Sequence, residues 1–152
     1  MTAGCVNRIL LSSAVDGPGN RLVIFLQGCN FSCRSCHNPE TANNCRACGA
    51  CVSACRYGAL RQTARQGMIF APELCRNCGR CLARCRHGSS PRTQMVTVAQ
   101  MRALVRRNRR FISGITFSGG EASLQPAFVV AVSRAARTLG LTAFLETNGS
   151  MT

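Results

Sequence analysis

Apolar residues fall in short runs separated by glycine and polar turns. Arg21-Leu-Val-Ile-Phe-Leu-Gln27 is a continuous β-branched and aromatic run bounded by Gly19 and Gly28. Such a run predicts a strand buried on both faces, as in a parallel sheet. Val98, Met101, Leu104 and Val105 recur at helical spacing within 98–110, with Thr97 in position to cap that helix. Ile112 to Ser118 predicts a second strand, ending in Gly119-Gly120. Pro126 to Leu139 predicts a second helix, with Pro126 in its first turn and Gly140 past its end. Leu141 to Thr147 predicts a third strand. Strand–helix–strand–helix–strand order implies right-handed βαβ units and a parallel sheet.

Between the first strand and the first helix the periodicity stops and cysteine takes over. Cys45-Arg-Ala-Cys-Gly-Ala-Cys-Val-Ser-Ala-Cys-Arg-Tyr-Gly58 aligns with Cys75-Arg-Asn-Cys-Gly-Arg-Cys-Leu-Ala-Arg-Cys-Arg-His-Gly88, a repeat of period 30. Self-similarity of this kind marks a duplicated supersecondary unit. Residues 41–91 therefore read as an insert into an α/β domain made of 1–40 and 92–152. The insert is poor in apolar residues, so metal must supply much of its folding energy.

At 152 residues the chain makes one or two small domains, yet it holds 12 cysteines. No signal-peptide pattern and no apolar run of about 20 residues is present. That many cysteines without a secretory route argue for metal ligation in a reducing compartment, hence a cytoplasmic protein with no membrane partner. The net charge of +14 is all arginine, since lysine is absent. Two closed iron–sulfur clusters and one open one would lower it by about five. The remaining excess suits an acidic partner such as a flavodoxin or ferredoxin, or non-specific attraction to nucleic acid. Arg106, Arg107, Arg109 and Arg110 read as a solvated helix end rather than a nucleic-acid site. Of the five acids, Asp16, Glu40, Glu121 and Glu146 lie in Gly-, Pro- or Asn-rich motifs, as site residues do.

The most specific chemistry is Cys29, Cys33 and Cys36, spaced C-x3-C-x2-C. Three thiolates fit three corners of a four-iron cluster and leave one iron open to substrate or cofactor. A zinc site or buried thiols are the alternatives. The repeats are each C-x2-C-x2-C-x3-C, which suits zinc poorly because zinc sites usually separate their cysteine pairs by a dozen or more residues. Cys5 lies outside every run and reads as a free thiol.

The repeats resemble those of bacterial two-cluster ferredoxins, in which three cysteines of a run bind one cluster and the fourth binds the other. That resemblance implies one set of Cys45, Cys48, Cys51 and Cys85, and a second of Cys75, Cys78, Cys81 and Cys55. Arg56 and Arg86 stand where the ferredoxin run usually has proline. Asp16-Gly-Pro-Gly-Asn-Arg21, Phe25-Leu-Gln-Gly-Cys29, Cys36-His-Asn-Pro-Glu40, Thr116-Phe-Ser-Gly-Gly-Glu121 and Glu146-Thr-Asn-Gly149 extend the likeness. With them the chain resembles glycyl-radical-enzyme activating enzymes. These are radical S-adenosylmethionine (SAM) proteins of the pyruvate formate-lyase activase type, here of the YjjW-like subgroup with a two-cluster insert.

The resemblance implies an α/β fold: the N-terminal half of a partial (β/α) barrel of six units, with an inserted bacterial-type 2[4Fe–4S] ferredoxin-like domain. It implies three [4Fe–4S] clusters and S-adenosylmethionine as cofactors, and a glycyl radical enzyme as protein substrate. Reductive cleavage of the cofactor would give a 5′-deoxyadenosyl radical that takes hydrogen from a glycine of the partner. Ser118, Gly119, Gly120 and Glu121 would line the methionine amino group, with Glu146 on the next strand end. Ser35, Cys36 and His37 would approach the adenine, Ser35 replacing the family's usual aromatic. No catalytic side chain is assigned, and His37 shapes the loop rather than moving a proton. Later strands of the family have no counterpart here, so a truncated form, inactive alone, is expected. The competing readings are an iron–sulfur electron carrier and another radical SAM enzyme, such as an anaerobic ribonucleotide reductase activase.

Overall fold

The run after Gly19 forms the centre of the sheet in the computed structural model, which describes residues 1–150. Strand β1 spans Ala3–Ser13 and β2 spans Arg21–Leu26, the latter buried at every position. A hairpin of β3 (Leu60–Thr63) and β4 (Gly67–Phe70) and a one-turn helix α1 (Arg80–Arg84) lie in the cysteine-rich segment. Then come β5 (Gln94–Thr97), helix α2 (Val98–Asn108), β6 (Gly114–Gly119), helix α3 (Pro126–Arg137) and β7 (Thr142–Leu145). The main sheet runs β5-β1-β2-β6-β7, and β3-β4 form a separate two-stranded sheet. No helix among the described residues is long and apolar enough to cross a membrane.

The expected parallel unit is present: β2 pairs parallel with β6, and β6 with β7. The sheet as a whole is mixed, because β1 runs antiparallel to both β2 and β5. Strand β1 escapes period-two reading because its register shifts between Val6 and Arg8 and again between Leu10 and Ser13. Each shift resets which side chains face the core. Only residues Ala3–Val6 of β1 carry β5 on their outer edge.

Helices α2 and α3 pack on one face of the main sheet. Leu22, Ile24, Leu26, Ile115 and Phe117 meet Met101, Val105, Phe128, Val132 and Ala136 there. Alternation along parallel strands puts Arg21, Val23, Phe25, Thr116 and Ser118 on the other face. Thr97 and Gln100 form a capping box at the start of α2, satisfying donors that a helix N-terminus leaves free. Gly4 is required by packing: a Cβ there would stand 2.4 Å from the Phe128 ring.

The second face is polar at its floor. Arg21, 0% exposed, donates from Nε to Thr116 Oγ1 (3.1 Å) and from Nη1 to Thr142 Oγ1 (2.6 Å). It also donates from Nη2 to the Ile115 carbonyl, and its guanidinium stacks 4.5 Å from the Phe144 ring centroid. One side chain thus fastens β2, β6 and β7 together. The 14–20 loop closes over this spot, where the Asp16 carbonyl accepts from Thr116 Oγ1 at 2.7 Å.

Candidate metal and cofactor site

Three loops leave the carboxyl ends of β2, β6 and β7, the edge at which α/β sheets place ligands. They carry Gly28-Cys29, Gly119-Gly120-Glu121 and Glu146 to Gly149. Backbone bonds draw the first two together: Gly120 N–H donates to Leu26 O (2.9 Å) and Glu121 N–H to Gly28 O (2.8 Å). The cysteine loop is closed at its base by Gly28 N–H to Thr41 O and Cys29 N–H to Ala42 O, both 2.8 Å. Asn30 joins it to the third loop, accepting from Asn148 Nδ2 (3.0 Å) and donating to Ser150 Oγ (2.6 Å).

Glu121 is 1% exposed, and its carboxylate is turned inward. It accepts from Ser123 N–H (2.9 Å), Thr147 Oγ1 (2.8 Å) and Asn148 N–H (2.7 Å). Burial by itself would raise its pKa. The hydrogen bonds from Ser123, Asn148 and Thr147 outweigh that and hold it below the usual carboxylate range. The carboxylate therefore braces the β6 and β7 loops against each other. A carboxyl with a depressed folded pKa stabilises the fold above its unfolded pKa, and that stability is lost as pH falls below the usual carboxylate range. Glu121→Gln keeps one acceptor and sets an amide donor against N–H donors, so we expect a loss of about 1–3 kcal/mol at neutral pH. Chemical unfolding across pH should show the difference from the wild type shrinking towards acid; a gap independent of pH would contradict this account.

The other expected cofactor residues are more open. Ser118 is buried and donates through Oγ to the carboxylate of exposed Glu146. Ser35, Cys36 and His37 are exposed on the rim of the cysteine loop. Beside them Asn38 accepts from Arg8 Nη2 (3.0 Å), whose guanidinium lies 4.1 Å from the Phe25 ring centroid. Asp16 lies away from these groups, in the floor loop.

The three cysteine runs share one local turn. The amide two residues after the first cysteine donates to its sulfur: Phe31 to Cys29, Ala47 to Cys45 and Asn77 to Cys75, each at 3.4 Å. Ala47 (φ 50°) and Asn77 (φ 51°) take left-handed backbone, as do Gly49 and Gly79 two residues on. Non-glycine residues rarely adopt it, so its repetition at equivalent positions marks a shape the turn demands. One cavity is lined by Cys75, Cys78, Cys81 and Cys55, and another by Cys45, Cys48, Cys51 and Cys85. Each gathers three cysteines of one run with the fourth of the other. Burial pushes the Cys51 thiol up to about 11 and raises Cys81, so a metal taken up there displaces protons. Among the described residues no three Cys, His, Asp or Glu side chains converge on a point suited to one metal ion. A four-iron core does not need that convergence, because iron and sulfide separate its thiolates.

Sequence reasoning missed the polar residues that hold this end together. Gln27, 3% exposed, donates to the carbonyls of Glu40 (2.9 Å) and Asn43 (2.6 Å) and accepts from Asn7 Nδ2 (2.7 Å). Gln125 accepts from Cys5 N–H (2.8 Å) and donates to Gln27 O (3.0 Å). Gln27 carries one sequence signal, an amide at the end of an apolar run, and Gln125 carries none. Cys5 is half-buried in β1, and burial raises its thiol.

Comparison with known proteins gives this arrangement a context. Residues 15–152 match the family model described as a 4Fe-4S single cluster domain. The isethionate sulfite-lyase activating enzyme of Desulfovibrio desulfuricans is 32% identical over 96% of this chain and 53% of its own length. The choline trimethylamine-lyase activating enzyme of Oleidesulfovibrio alaskensis is 32% identical over 88% of this chain and 49% of its own. The pyruvate formate-lyase-activating enzyme of Clostridium pasteurianum is 28% identical over 98% and 45%. The chain spans about half the length of the curated relatives it matches. In fold it is similar to the crystal structure of QueE from Escherichia coli, with TM-score 0.60 and 14% identity over 97% of this chain and 54% of that one. The family model, which spans most of the chain, places it in the 4Fe-4S single cluster domain family, and the curated relatives it is similar to are activating enzymes.

Proposed function

We propose that this chain belongs to a radical SAM activating enzyme that installs a radical on a glycine of a partner enzyme. Cys29, Cys33 and Cys36 hold a four-iron cluster with one open iron, and residues 41–91 form a two-cluster insert on the Cys45 and Cys75 sets. With a reduced cluster on Cys29, Cys33 and Cys36 and S-adenosylmethionine bound, the site would supply one-electron cleavage of the sulfonium C–S bond, methionine leaving, and the 5′-deoxyadenosyl radical so formed would take the glycine hydrogen. The chain's own residues prepare the place for it. Gly28 and Cys29 fix the loop base, Gly119 and Gly120 bring backbone close beneath it, and Ser118 with Glu146 offers acceptors for a ligand ammonium. Ser35 to His37 form the open rim on the adenine side. A partial barrel in the whole protein, a flavodoxin or ferredoxin as electron donor, and residence in the cytoplasm complete the reading.

The observation that carries it is the joining of the C-x3-C-x2-C loop to Gly119-Gly120-Glu121 at the carboxyl ends of adjacent parallel strands. Anaerobic reconstitution tests it. The wild type should bind about twelve irons and Cys33→Ser about eight. The EPR signal of the reduced wild type should change on adding S-adenosylmethionine, and that of Cys33→Ser should not. A wild type with about eight irons and no response would leave an electron carrier in its place.

A further inference from the structure

The two four-cysteine sets stand differently towards the Cys29 loop. The residue before Cys45 touches the residue before Cys29: a Cβ on Gly28 would stand 3.3 Å from the Asn44 side chain. Cys29 N–H is bonded to Ala42 O, three residues ahead of Cys45. The set headed by Cys45 is therefore the inner one. Cys75 and Asn77 line an open cleft whose other walls are Val6 to Leu10 of β1 and Glu40, while Cys45 borders a second open cleft with Asn43, Asn44, Arg46 and His87. The surroundings differ as well. Arg76, Arg80 and Arg92 line the cavity of the Cys75 set, whereas Arg46 alone of the arginines lines that of the Cys45 set. Arg76 and Arg80 are exposed, so their charge reaches solvent.

We propose that the cysteine sets form an ordered path, with the Cys75 set as its outer end and Arg76 and Arg80 as the landing site of an acidic one-electron carrier protein. The proposal rests on the function read above. One electron leaves the carrier, which is oxidised by one unit, and passes by way of the Cys75 set and then the Cys45 set to the Cys29 loop. No covalent bond forms or breaks and no proton moves within the insert. Charge complementarity selects the partner, because a chain with 19 arginines and five acids speeds encounter with an acidic surface. Tunnelling falls steeply with distance, so the set whose flanking residues Ala42 and Asn44 meet the Cys29 loop is the last stop.

Pulsed EPR on the reconstituted 152-residue chain, fully reduced with dithionite, reads the order without turnover. The signal that responds to S-adenosylmethionine should relax more slowly once the inner set is lost in Cys48→Ser/Cys51→Ser. It should be little altered in Cys78→Ser/Cys81→Ser. An equal or larger effect from the outer pair would overturn the order. Arg76→Glu/Arg80→Glu keeps every cysteine and covers the case in which those variants do not fold. Its reduction by reduced flavodoxin should slow by about tenfold at low salt, with the gap closing at high salt, while reduction by dithionite is unchanged. An unchanged flavodoxin rate would overturn the landing site. Failure of the wild type to respond to S-adenosylmethionine would count against the enzymatic reading, while the flavodoxin rate would still test the landing site.

Discussion

Alanine at position 120 should empty the Cys29 loop of iron while leaving the two other cysteine sets loaded. A Cβ on Gly120 would lie 2.1 Å from the Gly28 carbonyl oxygen and 2.7 Å from its carbon. Both are backbone atoms, with no flexible side chain to swing aside. The same carbonyl accepts from Glu121 N–H, and Gly28 is followed at once by Cys29. Relief of the overlap must therefore part the two strand-end loops and displace the first thiolate. Overpacking of this kind costs about 1–3 kcal/mol. Iron should fall from about twelve to about eight per chain, and the response to S-adenosylmethionine should vanish. Gly140→Ala is the control. Its backbone is left-handed (φ 78°) but no atom lies within 4 Å of the added Cβ, so it should lose about 1 kcal/mol and keep its iron. Full iron in Gly120→Ala would show that the loops are not coupled through this contact.

Loss of Arg21 should be the most destabilising change on the polar face of the sheet. Its guanidinium lies in the floor among hydroxyl and carbonyl oxygens, and burial pulls its pKa below the ordinary arginine range. Arg21→Ala removes a large buried side chain and strands the acceptors that β6 and β7 supply. We expect it to cost about 3–5 kcal/mol. Arg21→Met refills most of the volume without donors, and should cost about 1–3 kcal/mol. Arg21→Lys should resemble Met more than wild type, because one ammonium cannot span acceptors on two neighbouring strands as a planar fork does. Urea unfolding of the reconstituted chain would measure the series. Equal stability of wild type and Arg21→Met would reduce the clamp to a matter of volume.

The parallel core was legible because its elements obey single periodicities. Val98 to Asn108 and Pro126 to Arg137 are amphipathic, and 22–26 is uniformly apolar, so each announces its partner layer. The pairing of the two four-cysteine runs was legible for a different reason: duplication repeats their spacing, and the structure gathers three cysteines of one run with the fourth of the other around each cavity. Strand β1 was not, since two register shifts scramble its alternation. Gln27, Gln125 and Arg21 were invisible because their roles exist only in three dimensions. A buried amide or guanidinium looks like a surface residue until its acceptors are known. Glu121 was read from its motif as one of the residues lining the methionine amino group; its bonds from Ser123, Thr147 and Asn148, which brace two loops, carried no sequence signal.

Gln27 has a consequence for the architecture as a whole. It grips the carbonyls of Glu40 and Asn43, while Ser90 N–H bonds Glu40 O at 3.0 Å and Asn43 bridges Ser89. The chain thus departs from the sheet and comes back to it at one spot, where both strands of the doorway are held by the same hinge-post. Whatever is threaded between residues 44 and 88 hangs from that doorway as a pendant. A segment held at a single doorway should tolerate changes in its length with little disturbance of β2 or β6.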